Sequence, residues 1–113
     1  MTFPEDQLKE LKELFPGVSQ YEEGGCIYFL IPKFILPDGC KPQQVDLLLC
    51  PCPRDGYPSR LFFSERVNSK VPRNWNSAGV RIIEKNWNAY SWKIAGTNLR
   101  LTQILSSHIG ALQ

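Results

Sequence analysis

A chain of 113 residues has room for one hydrophobic core and not for two, so a single domain spanning residues 1–113 is expected. With 42% apolar residues, 21% charged residues and a net charge of +2, it is too apolar for disorder and too weakly basic for bulk nucleic-acid binding. Apolar runs such as Phe29-Leu30-Ile31 fall far short of the roughly 20 residues of a membrane span, and Met1 to Asp6 has neither a basic lead nor an apolar signal region, so the cytosol is the expected compartment.

The first predicted element is a helix from Thr2 to Phe15, in which Leu8, Leu11, Leu14 and Phe15 recur at helical spacing. Thr2 and Glu5 have the spacing of a capping box, Pro4 suits a first turn, and Pro16-Gly17 stops the helix. Val18 to Tyr21 and Cys26 to Ile31 read as two antiparallel strands, because Gly24-Gly25 supplies the positive φ of a tight hairpin. Leu36-Pro37-Asp38-Gly39 is a turn. The third strand, Gln44 to Cys50, is nearly continuously apolar and therefore central, with Asp46 expected to point at solvent. Pro51 to Pro58 holds three prolines and leaves the sheet as a rigid loop, in which Tyr57-Pro58 packs against the strands. A fourth strand covers Leu61 to Val67. From Asn68 to Gly96 no regular period appears, yet Trp75, Trp87 and Trp92 make the stretch too apolar for disorder, so a packed irregular segment is predicted as the seat of function. Thr97 or Asn98 then caps a last helix that carries Leu101, Ile104, Leu105, Ile109 and Leu112 to the C-terminus. The expected class is α+β, with an N-terminal helix, a four-stranded antiparallel meander, an irregular Trp-rich segment and a C-terminal helix.

Four cysteines all lie in the first half, so they cannot staple the ends of the domain, and reduced thiols are expected. Cys50-Pro51-Cys52 does not have zinc-knuckle spacing and His108 is the single histidine; neither a metal nor a cofactor is expected. Cys26 and Cys50 fall inside apolar strands and read as core, whereas Cys40 and Cys52 fall in loops. Cys52, two residues before Arg54, is the better candidate nucleophile of that pair. Between Arg66 and Lys85 the cations Arg66, Lys70, Arg73, Arg81 and Lys85 face only Glu84, so Arg73, Trp75, Arg81 and Lys85 form a candidate surface for an acidic protein partner, with Trp75 exposed.

The run Leu36-Pro37-Asp38-Gly39, Val45-Asp46-Leu47-Leu48, Gly56-Tyr57-Pro58 and Phe62-Phe63 resembles the prokaryotic family E of ubiquitin-conjugating-enzyme-like proteins. The resemblance covers roughly Tyr28 to the C-terminus. It implies the ubiquitin-conjugating fold and a place in a bacterial ubiquitin-like modification pathway, with a ubiquitin-like modifier and its activating enzyme as partners. The activating enzyme is commonly received on the N-terminal helix of this fold. Asn74-Trp75-Asn76-Ser77-Ala78-Gly79 is similar to the loop that begins at the oxyanion-steadying asparagine of active members, which gives Asn74 that role and places Ile82 where their cysteine stands. No cysteine occurs between Pro53 and Gln113, so the expected protein lacks thioester chemistry and works by binding the modifier or the activating enzyme. The alternatives are a conjugating enzyme with a displaced nucleophile, Cys52 or Ser91, and an unrelated α+β interaction module with a basic loop. A serine in this role needs a general base within hydrogen-bond reach.

Overall fold

The computed structural model describes residues 3–94 and 99–112. Helix α1 spans Glu5–Leu14 and starts beyond Pro4, whose carbonyl accepts the Gln7 and Leu8 amides; the expected cap Thr2 lies outside the described residues. Its apolar stripe runs through Leu8, Leu11 and Phe15, while Leu14, one position off that stripe, is exposed. Strands β1, Ser19–Glu23, and β2, Cys26–Ile35, form the expected hairpin, with Glu23 opposite Cys26 and both Gly24 and Gly25 at positive φ.

Strand β3, Gln44–Cys50, pairs with β2 on one side and with β4, Arg60–Phe63, on the other, which is the central place its apolar run predicts. Between the pairs Ile31–Leu47 and Phe34–Val45 the β2 chain carries one extra residue, a bulge that includes Pro32 and holds Lys33 at φ 53°. Here Asp46 departs from expectation: it is half-buried, and its Oδ1 accepts the Lys33 amide at 2.9 Å. The carboxylate satisfies a donor that the bulge removes from the ladder. Strand β4 ends earlier than expected, at Phe63, after which the Ser64 hydroxyl accepts the Asp46 amide at 3.0 Å.

The segment read as irregular contains two further strands. β5, Ser77–Ile82, and β6, Lys85–Ala89, form a hairpin whose turn residues Ile83 and Glu84 sit at φ 47° and 63°. Among the described residues the sheet therefore has six strands, in the order β1-β2-β3-β4-β6-β5, rather than four. Helix α2, Leu101–Gly110, follows; the expected caps Thr97 and Asn98 lie outside the described residues, and Gln103 Oε1 accepts the Arg100 amide at the helix entrance. The helix stops at Gly110, and Ala111 and Leu112 turn back into the core.

Alternation along the strands explains where the core sits. Phe29, Ile31, Leu47, Leu49, Leu61 and Phe63 point to one face, where α1 and α2 cover them with Leu11, Leu101 and Leu105. Tyr28, Leu48, Cys50 and Phe62 point to the other, where Ile82 and Trp87 of the β5–β6 hairpin close over them as the sheet curls. Glu23 Oε1 accepts the Ile83 amide at 3.2 Å and ties the tips of the two hairpins together. The result is an α+β fold whose antiparallel sheet is packed on both sides, and no helix among the described residues is long and apolar enough to cross a membrane.

Candidate functional site

The proline-rich loop ends in a tight turn. Arg54 and Tyr57 exchange two backbone hydrogen bonds of 2.9 Å across Asp55 and Gly56, which sit at φ 54° and 85°. An Asp-Gly pair meets that geometry because glycine has no Cβ to clash and aspartate tolerates the left-handed region. The turn delivers Tyr57 to the mouth of β4, beside Arg60.

Arg60 organises the corner. Its side chain is only 3% exposed, and its guanidinium donates to Asp55 Oδ2 at 3.1 Å, Ser77 Oγ at 3.1 Å, Asn76 Oδ1 at 2.8 Å and the Tyr90 carbonyl at 3.3 Å. It also stacks on Tyr57, 4.6 Å from the ring centroid. Tyr57 Oη shares a hydrogen bond of 2.7 Å with Ser91 Oγ and accepts one of 3.2 Å from Asn76 Nδ2. The contact with Ser91 is the main cause that holds the Tyr57 phenol below its ordinary pKa, with help from Asn76 and Arg60. Tyr57 is thus more than loop packing. It is the meeting point of the polar cluster.

Asn74 and Ser91, both singled out by the sequence, are brought together. The Asn74 carbonyl accepts the Ser91 amide at 2.7 Å and the Asn76 amide at 2.9 Å, while the Asn74 side chain is exposed. Cys52 is elsewhere. It is 5% exposed and packs in the cluster of Tyr28, Phe62 and Trp87, on the face of the sheet opposite Trp75 and Tyr90. Cys50 Sγ donates to the Cys52 carbonyl at 3.5 Å, and burial pushes the Cys50 thiol up to about 12. Cys40, expected in a loop, is buried too, which raises its pKa.

The proposed partner surface is distributed over several places. Trp75, expected to be exposed, is half-buried in an aromatic triangle with Phe63 at 5.3 Å and Tyr90 at 5.2 Å. Arg73 covers the Trp92 ring at 4.5 Å and donates to the Ala111 carbonyl at 2.5 Å, closing the end of α2. Arg81 and Lys85 are exposed near the tip of the β5–β6 hairpin. A groove of about 850 Å³ runs beside α1, lined by the apolar Leu8, Leu11, Val18 and Phe29 and by charged residues of both signs, Glu5, Asp6 and Glu13 with Lys9 and Lys12.

No protein-family model matches the chain, and neither a curated protein nor a solved structure matches it.

Two residues that sequence reasoning missed do most of the positioning: Arg60 and His108. Ser59 Oγ and His108 Nε2 are 2.8 Å apart, and both residues are 2% exposed, which keeps this serine and histidine out of reach of any substrate. Burial, with the Arg60 charge as a lesser cause, lowers the His108 pKa to about 4. Tyr90 Oη donates to the His108 carbonyl, so α2 is fastened to the same corner.

Proposed function

We propose that this chain is a ubiquitin-conjugating-like protein of a bacterial ubiquitin-like modification pathway, which binds the modifier or the activating enzyme and forms no thioester on a cysteine of its own. The observation that carries the reading is the burial of Ile82. That residue, which occupies the place of the conjugating cysteine in the resemblance, is 1% exposed and belongs to the core under the β5–β6 hairpin. A thioester-carrying atom must reach an incoming acyl donor, and neither this position nor the buried Cys50 and Cys52 offers one. The helix followed by a four-strand meander, with Tyr57-Pro58 between β3 and β4, is consistent with the resemblance. The groove beside α1, with apolar Leu8, Leu11, Val18 and Phe29 among its lining residues, is consistent with an activating enzyme docking on this helix, as the resemblance implies.

The test is to mix the protein with the cognate activating enzyme, modifier and ATP, measuring association by calorimetry and adducts by intact mass. Association with either protein is expected, with no adduct that depends on a cysteine. An adduct lost in Cys52→Ser would overturn the reading. Failure to bind either protein would favour a second reading, an interaction module that uses the exposed Arg81 and Lys85 on its hairpin against an acidic protein surface.

A further inference from the structure

The contact between Ser91 and Tyr57 is unused by a purely binding role. Tyr57 is held from three directions, by Ser91 Oγ at 2.7 Å, by Asn76 Nδ2 at 3.2 Å and by the Arg60 guanidinium 4.6 Å from its ring. One backbone oxygen, that of Asn74, fixes the amides of both Ser91 and Asn76 and so sets the hydroxyl and the carboxamide around the phenol. Arg60 cannot swing away, because four further hydrogen bonds anchor it. Ser91 and Tyr57 themselves are half-exposed, in contrast to the sealed pair Ser59 and His108. A base within hydrogen-bond reach of a hydroxyl, oriented by further groups and placed against a cation that favours its anion, is what an activated serine requires.

We propose that Ser91 is an acyl-accepting nucleophile with Tyr57 as its general base, reacting with activated acyl donors of the thioester or aryl-ester class. Tyr57, as phenolate, takes the proton from Ser91 Oγ, and an Oγ lone pair forms a C–O bond to the donor's carbonyl carbon. The tetrahedral adduct then collapses. The C–S or C–O(aryl) bond breaks with its electron pair leaving on thiolate or aryloxide, and the proton passes from Tyr57 to that leaving group or to water. The products are a Ser91 ester and a free thiol or phenol, and nothing is oxidised or reduced. Asn76 and Arg60 are positioning residues, since they touch Tyr57 and not the acyl group. This activity stands apart from the binding reading, because a small aryl ester probes it with no partner present.

The probe is p-nitrophenyl acetate, added to the full chain at a series of pH values, with the product mapped by peptide mass. One acetyl group on Ser91 is expected, released by hydroxylamine, at a rate that climbs with pH and levels off as Tyr57 ionises, below the range of an ordinary phenol. Ser91→Ala loses this acetyl group, and Tyr57→Phe forms it at least about 100-fold more slowly with no levelling. Ser106→Ala, which alters an exposed hydroxyl on α2, reacts like the parent. Asn76→Ala removes a donor from the phenol and moves the whole profile to higher pH. Thermal unfolding of each variant shows that it is folded. Acetylation confined to lysines or thiols, parental rates in Tyr57→Phe, or an unmoved profile in Asn76→Ala would each overturn the proposal.

Discussion

A buried arginine in a four-residue strand is the residue on which the corner depends. Arg60 gathers Asp55, Asn76, Ser77 and the Tyr90 carbonyl, residues from three separate stretches of chain. Arg60→Met keeps the bulk and removes five contacts at once, leaving the Tyr90 carbonyl and Ser77 hydroxyl without their donor. It is expected to cost about 2–4 kcal/mol, as read by urea unfolding, because orphaned buried polar groups retain their desolvation penalty. His108 makes a different demand. Its folded pKa of about 4 lies below the 6.5 of the unfolded chain, so between those values the unfolded state binds more protons. The His108 contribution to stability is complete above about pH 6.5 and is lost as pH drops towards 4, by on the order of 3 kcal/mol. Urea midpoints across that range should record the decline, and His108→Gln should flatten its histidine part. Neither residue was legible beforehand. Apart from Asp55, five positions from Arg60, the hydrogen-bond partners of these two side chains lie 16 to 49 positions away and leave no local pattern, and a histidine inside an amphipathic helix looks like any other.

At the scale of elements, legibility follows turn chemistry. The first hairpin was readable because Gly24-Gly25 is built for positive φ, and β3 because an apolar run covered on both faces cannot alternate. The second hairpin was not, because Ile83 and Glu84 occupy the same left-handed geometry without the glycine or asparagine that normally announces it. Glu84→Gly relieves that strain and should stabilise the protein by about 0.5–1 kcal/mol, raising the thermal midpoint by roughly 2–5 °C. Asp46 was misread for a related reason. A polar residue in an apolar strand signals solvent unless a neighbouring strand bulges, and the bulge at Lys33 is visible only once β2 and β3 are paired.

For the whole molecule, the two packed faces share β3 and β4, whose successive residues alternate between them. Opening one face therefore exposes the back of the other. Trp87→Ala should cost about 3–5 kcal/mol by leaving a cavity under the hairpin, yet denaturation followed by circular dichroism and by fluorescence of the remaining indoles should still trace one coincident transition. The α+β class, both helices and the first four strands could be read from periodicity and turn chemistry. What periodicity could not convey is that Tyr57, placed in a loop by its prolines, becomes the hub of the Arg60 corner once β4 and β6 are neighbours.

The burial of Cys40 on the helix side and of Cys50 on the hairpin side gives each layer its own chemical clock. A thiol reagent applied under native conditions, after the more accessible Cys26 has been consumed, will modify Cys40 and Cys50 only as fast as their respective coverings lift. Equal rates would mean that the layers breathe together; a faster Cys50 would mean that the hairpin detaches while the helices hold.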